Sequence, residues 1–335
     1  MQSHNTSGVI AGIDIGGTKI ALALSNTDGE ILSRRRFPTQ TEIGPTQILE
    51  HVFQEIEGML RETSAKLCGA GIGCAGPLDL ERGLVMSPPN LPGWDKFPLA
   101  LLVRERLRVP VLLDNDANAA ALGEHERGAG RGLRDMVYMT ISTGIGGGII
   151  VDGKLVRGIA GGAGEVGHLT VLPTGPECGC GARGCLETLC SGTAIARRAR
   201  ERIAQGASSS LISSMVKDLR EVTAETVAVA AQRGDMLARE IWDETIYYLS
   251  IGVGNIISVL APEAIIIGGG VSSSGEQLLG PLRRKVAERM HMLPIEKIRI
   301  VRAALGEDSG LHGALTLGRV RSLESEDGLK FKSQV

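Results

Sequence analysis

The feature that most constrains this chain is a unit that occurs twice: an apolar strand, a glycine turn and a second apolar strand. In the first copy Val9 to Ile15 is apolar, Gly16-Gly17 turns, and Ile20 to Leu24 is apolar again. Asp28-Gly29 then turns into a third strand at Ile31. In the second copy Met136 to Ser142 reads as a strand, Gly144 to Gly148 as a glycine turn, Ile149 to Val151 as a strand and Asp152-Gly153 as a hairpin turn. Asp14-Ile15-Gly16-Gly17-Thr18 and Ser142-Thr143-Gly144-Ile145-Gly146-Gly147-Gly148 therefore hold equivalent places. A duplication of this kind predicts an α/β protein with two related lobes around a cleft.

The remaining pattern fits that frame. Gln47 to Lys66 has helical spacing, with Ile48, Val52, Ile56, Met59 and Leu60 on one face. Gly69 to Ala75 reads as a buried strand, Leu99 to Leu107 as a helix, Pro110 to Leu113 as a short strand, and Asn115 to Glu126 as an alanine-rich helix. Further on come a long helix from Asp235 to Leu260, a strand from Ala264 to Ile267, a turn at Gly268-Gly269-Gly270 into a helix from Glu276, a strand from Ile298 to Val301, and a helix from Ser309 to Leu323. Residues 324–335 are polar and expected to fray. The expected division is a smaller lobe of 1–114 with 309–335, and a larger one of 115–308.

A length of 335 residues accommodates two such lobes. The net charge of −2 offers no basic field for nucleic acid or an anionic membrane. No apolar run approaches the length of a membrane span, and Met1 to Val9 has neither a basic region nor a hydrophobic signal segment. A cytoplasmic protein is expected.

The 46 glycines cluster where backbone must come close to something. Three glycine turns, at 14–18, 143–148 and 268–270, each follow an apolar strand. Such turns can aim backbone N–H groups at phosphate oxygens, and three of them favour nucleotide binding over plain chain reversal. Two familiar phosphate motifs do not fit. The Gly153-Lys154 pair is followed by Leu155 rather than Ser or Thr, so there is no P-loop. The G-x-G-x-x-G spacing at Gly71, Gly73 and Gly76 runs into Pro77, and that at Gly162, Gly164 and Gly167 runs into the apolar Leu169 to Leu172, so neither opens a helix.

Asp114-Asn115-Asp116 sits between a buried strand and a helix. One of the first two can cap the helix, but capping does not need three polar groups. Phosphoryl transfer to an alcohol needs a base for the hydroxyl proton and a neighbour that fixes the acceptor, and Asp116 and Asn115 suit those tasks. Cys178, Cys180 and Cys185 lie in a loop with Gly179, Gly181 and Gly184, ten residues after His168. Three thiolates and an imidazole make a closed tetrahedral site, which points to structural zinc. Glu165 and Glu187 flank this cluster, and carboxylates so anchored can accept hydrogen bonds from sugar hydroxyls.

Together these residues resemble the ROK family of sugar kinases and repressors, within the actin-like (ribonuclease H-like), hexokinase-type ATPase superfamily. The carrying motifs are Asp14-Ile-Gly-Gly-Thr-Lys19, Asn115-Asp116-Ala117, Ser142 to Gly148, Gly164-Glu-Val-Gly-His168, and Cys178-Gly-Cys-Gly-Ala-Arg-Gly-Cys-Leu-Glu187. The resemblance spans Gly12 to Gly313.

It implies that Gly16, Gly17, Thr18, Lys19, Thr143, Gly144 and Gly146 embrace the phosphates of ATP, that Gly268, Gly269 and Gly270 border the adenosine, and that Asp14 acts near Mg²⁺ through water. It implies a sugar pocket lined by Gly76, Asn90, Asn115, Asp116, Glu165, His168 and Glu187, with Asp116 as base and His168 also on zinc. It also implies a homo-oligomer, either a dimer or a tetramer. Ser87-Pro-Pro-Asn90-Leu-Pro-Gly-Trp94 resembles the glucokinases of the family, which points to glucose, with N-acetylmannosamine, fructose and allose as alternatives. Repressors carry a helix-turn-helix ahead of the kinase-like part. A turn starting at Asp14 leaves no room for one, and a non-catalytic sugar sensor would have no need of Asp116. The segment Arg157 to Gly162 lacks the histidine that many members carry there.

Overall fold

The computed structural model describes residues 8–326. The chain forms two compact units: one comprises the stretch up to Arg131, Leu155–Ala163 and the stretch from Asp308 onward, and the other Gly132–Lys154 and Gly164–Glu307. Each has its own apolar core.

The first unit contains β1 (Val9–Ile15), β2 (Lys19–Ser25), β3 (Ile31–Pro38), α1 (Pro45–Thr63), β4 (Leu67–Cys74), a ribbon of β5 (Leu78–Asp79) and β6 (Leu84–Val85), α2 (Leu99–Leu107), β7 (Val111–Asn115) and α3 (Asp116–Arg127). Its main sheet runs β3-β2-β1-β4-β7. The β1–β2 and β2–β3 pairs are antiparallel, and β1–β4 and β4–β7 are parallel. β1 is buried on both faces from Val9 to Ile13, as its apolar run requires. β3 alternates half-buried and exposed residues, and its arginines Arg34 and Arg36 discourage further pairing at this edge. Helix α1 buries Ile48, Leu49, Val52, Phe53, Ile56 and Met59, a stripe with helical period. Each such side chain contributes about 1.5–3 kcal/mol on full burial.

The second unit contains β8 (Met136–Ile141), β9 (Ile145–Val151), the first residue of β10 (Lys154–Val156), α4 (Leu186–Cys190), α5 (Gly192–Ala204), α6 (Ser210–Met215), α7 (Ala224–Gln232), α8 (Met236–Leu260), β11 (Ala264–Gly268), α9 (Glu276–Ala287) and β12 (Arg299–Arg302). Its sheet runs β10-β9-β8-β11-β12, which repeats the order of the first with β8 in the place of β1 and β11 in that of β4. Directions repeat as well: β8–β9 is antiparallel, and β8–β11 and β11–β12 are parallel.

The last helix, α10 (Ser309–Glu326), packs in the first unit on α3, β4 and β1. Glycines permit this closeness. A Cβ on Gly71 would stand 1.9 Å from the Ala314 carbonyl oxygen, and one on Gly313 would stand 1.6 Å from that of Ala119. Leu311 and Leu315 fill the space over Ile10, Ala21 and Ala23. The Ser309 hydroxyl donates to the buried Glu124 carboxylate at 2.8 Å.

The structure differs from the sequence reading at several points. The strand expected at Pro110 to Leu113 runs on to Asn115, so Asp114 lies inside β7. Helix α3 stays in the first unit because it packs on α10, so the units do not divide at 114/115. Gly146, Gly147 and Gly148 belong to β9 and pair with Thr140, Met139 and Tyr138, so the second turn is confined to Ser142-Thr143-Gly144. The stretch 186–234, unassigned by sequence, forms α4 to α7. Residues 324–326 continue α10, and the rest of the tail expected to fray lies outside the described residues. Among the described residues, no helix is long and apolar enough to cross a membrane.

Candidate active site

In the first unit the carboxyl ends of three parallel strands assemble the site, as is usual for ligands on open α/β sheets. Asp14 on β1 lies opposite Gly73 on β4, and Gly73 lies opposite Asp114 on β7. One residue further, Ile15, Cys74 and Asn115 form the next row. The chain leaves these rows at Gly16, at Ala75-Gly76 and at Asp116.

Asp114 is fully buried. Its Oδ1 accepts from the Asn115 N–H at 2.8 Å and from Asn118 Nδ2 at 2.9 Å, while Oδ2 accepts from Arg157 Nε at 2.8 Å. Asn115 caps α3: its Oδ1 accepts from the N–H groups of Ala117 at 2.9 Å and Asn118 at 3.4 Å. Asp116 is the first helical residue, and its Oδ1 accepts from Ala117 N–H at 2.8 Å. Gly76 stands beside Asn115, since a Cβ there would meet Asn115 Nδ2 at 3.2 Å.

The turn after β1 is drawn tight. Gly16 N–H donates to the Lys19 carbonyl at 3.0 Å, and the Thr39 hydroxyl donates to the Gly16 carbonyl at 2.6 Å. Asn90 lies against Gly17, where a Cβ would stand 2.7 Å from both the Asn90 Cβ and its carbonyl oxygen. The Asp14 carboxylate rests on Gly310 in the first turn of α10, where a Cβ would lie 2.8 Å from Oδ2. Burial pushes the Asp14 carboxyl up to about 7, and the Asp116 carboxylate adds to this against the pull of Lys19 and Arg36.

In the second unit the Ser142-Thr143-Gly144 turn joins β8 to β9. Ser142 N–H donates to the Gly144 carbonyl at 2.9 Å, and Gly192 N–H donates to the Ser142 carbonyl at 2.7 Å. Glu187 Oε2 accepts from Ile145 N–H at 2.7 Å. The neighbouring strand β11 ends at Gly268, and Gly269 follows in the left-handed region at φ 79°. A Cβ on Gly269 would stand 2.4 Å from the Ile141 carbonyl oxygen, so this turn lies directly on the end of β8. Gly270 has nothing within 4 Å of such a Cβ and faces open space.

The segment carrying Glu165 and His168 lies flat on β9. A Cβ on Gly164 would meet the Gly147 carbonyl oxygen at 2.5 Å, and one on Gly167 would meet that of Ile145 at 2.1 Å. This contact is why Gly147 is a strand glycine: side chains on either layer would force the two apart. His168 and the three cysteines converge, their ligand atoms all within 4.8 Å of one another. His168 Nδ1 is 3.5 Å from Cys178 Sγ, and Cys180 Sγ is 3.7 Å from Cys185 Sγ. A tetrahedral zinc ion with bonds of about 2.3 Å to sulfur and about 2.0 Å to nitrogen sets its ligand atoms roughly 3.5–3.8 Å apart. The residues present therefore fit such an ion. His168 Nε2 faces the Glu165 carboxylate at 3.8 Å.

Two contributors carry no motif. Arg157, the partner of Asp114, is one; its only signal is that a carboxylate buried inside a strand must have a partner. Thr39, which ties the first turn to β3, is the other.

The ROK family model matches residues 10–320. The glucokinase of Thermotoga maritima is 38% identical over 93% of this chain and 98% of its own. That of Halalkalibacterium halodurans is 37% identical over 95% and 97%. A solved structure of a ROK family glucokinase from Streptomyces griseus, in complex with glucose and AMPPNP, is 36% identical, covers 93% of this chain and 100% of that one, and has a TM-score of 0.79. Sheets and turns of this order define an α/β protein of the two-lobed, actin-like class. The chain belongs to the ROK family.

Proposed function

We propose that this chain is an ATP-dependent glucokinase that phosphorylates the 6-hydroxyl of glucose with Asp116 as general base. The observation that carries the reading is the division of labour at the start of α3. Asn115 supplies the helix cap, so the cap does not explain the carboxylate at Asp116, one residue past the end of β7. The glucokinases reported above, alike over nearly the whole chain, support glucose as the acceptor.

In this reading the O6 oxygen attacks the γ-phosphorus. The O6–P bond forms, the bond from phosphorus to the β,γ-bridging oxygen breaks, and the O6 proton passes to the Asp116 carboxylate. The transition state is loose, so positioning contributes throughout and the base acts late. Gly76, Asn90, Asn115, Glu165, His168 and Glu187 hold the sugar by hydrogen bonds. The turns at Gly16-Gly17-Thr18-Lys19 and Thr143-Gly144 take the phosphates, together with Gly146 at the start of β9, and Gly268-Gly269-Gly270 borders the adenosine. Asp14 would hold Mg²⁺ through water, and the ion would supply neutralisation of phosphate charge. Zinc on His168, Cys178, Cys180 and Cys185 is structural, because four protein ligands leave no open position.

A coupled assay of ADP release over glucose, N-acetylmannosamine, fructose and allose tests the proposal. The highest kcat/KM is expected for glucose. A higher value for N-acetylmannosamine would replace the substrate, and no turnover with any hexose would overturn the kinase reading.

A further inference from the structure

Glu187 lies two residues after the ligand Cys185, yet its carboxylate is not aimed at the cluster. Oε2 accepts from the Ile145 N–H at 2.7 Å. It also lies so close over the turn that a Cβ on Gly144 would stand 2.5 Å from it. The other end of the same turn is held by Gly192, whose N–H donates to the Ser142 carbonyl at 2.7 Å. Ile145 is gripped from its other side by Gly167, the residue before the ligand His168. The segment 185–187 is itself anchored, since Leu186 N–H donates to the Leu169 carbonyl at 2.9 Å and Cys185 bridges to Thr170. Both ends of the metal loop therefore terminate on Ile145, one through a backbone contact and one through a carboxylate.

We infer that Glu187 is a positioning residue for the nucleotide turn, and that the order of the metal loop is read out as nucleotide affinity even when no sugar is present. The inference rests on the reading that the Ser142–Gly144 turn holds ATP phosphates. A loop fixed by its ion holds Glu187 in place. Glu187 then pins Ile145 N–H, and the turn keeps the shape in which its own backbone can meet phosphate. A carboxylate that served only the sugar would leave nucleotide binding unchanged in the absence of sugar.

The test is calorimetric titration of AMPPNP with Mg²⁺ into metal-loaded protein without any sugar, with a thermal melt of every variant. Glu187→Ala leaves the Ile145 N–H without its acceptor and should weaken binding about ten-fold. Glu187→Gln keeps an acceptor oxygen and should stay within about two-fold of the parent. Glu187→Asp, charged but too short to reach, should behave like alanine. Removing the metal by chelation should weaken the parent as much as Glu187→Ala does, and should add little to that variant. Thr143→Trp, on the exposed side of the turn, separates the two ideas. If it leaves AMPPNP binding intact, the phosphate reading of the turn fails. If it abolishes binding while Glu187→Ala binds like the parent, or if the stripped parent binds as tightly as the loaded one, the positioning role is overturned.

Discussion

Arg157 Nε donates at 2.8 Å to an Asp114 carboxylate that has no solvent exposure at all. The same carboxylate orders the Asn115 N–H and the Asn118 amide. One arginine thus sets the end of β7 and the start of α3. Arg157→Met should cost about 1–3 kcal/mol of stability, because it orphans a buried charge, and should raise the KM for glucose through Asn115. Adding Asp114→Asn should recover most of the stability. Urea titration of the single and double variants checks this; a double variant as unstable as the single would show that the charge is not the cause.

Asp116→Asn should fold with an unchanged melting temperature, since Asn115 is the cap and asparagine still offers an oxygen to Ala117 N–H. It should lose kcat by ~10²–10⁴-fold while still binding glucose. Steady-state kinetics beside a thermal melt decides it, and near-parental kcat would remove Asp116 from the mechanism.

The raised Asp14 carboxyl has a signed consequence. Its ordinary value is 3.8 and in the fold it reaches about 7, so between those values the folded chain keeps a proton that the unfolded chain has released. Stability therefore falls as pH rises through that window and levels off above it. Asp14→Asn should be more stable than the parent at pH 8, with the gain shrinking steadily to nothing near pH 4. A gain independent of pH would mean that Asp14 is not the group responsible.

Protein purified without chelator should carry one zinc per chain by elemental analysis. Chelation should lower the melting temperature, and Cys180→Ser should do the same while losing the metal. Cys68→Ser, far in sequence from the loop, should do neither. Absence of stoichiometric zinc would refute the site.

What the sequence discloses here depends on how local the cause is. The Cys-Gly-Cys loop and the polar triplet at 114–116 are legible because their own polar groups lie within a few residues of one another. The strand–turn–strand units are legible because strand and turn carry opposite signals. The run Gly146 to Gly148 reads as a turn because glycine usually makes one, yet these residues are strand. The reason at Gly147 is the segment from Gly164 to Val166, which lies on it and leaves no room for a side chain. The Arg157–Asp114 pair spans 43 residues and has no motif, so only the folded chain discloses it. Glu187 is visible as a carboxylate beside the cysteine loop, but not as the acceptor for Ile145, a contact made across 42 residues.

The packing of α10 bears on how the chain is made. Translation delivers β1, β2 and β4 early, but Leu311 and Leu315 cover Ile10, Ala21 and Ala23, and Ala314 abuts Gly71. The sheet that holds β1 is thus made well before α10 but finished only when α10 arrives. Until α10 emerges, Ile10, Ala21 and Ala23 stay uncovered, so a stop before Ser309 would strand this earlier-made sheet rather than the segments translated just before the stop.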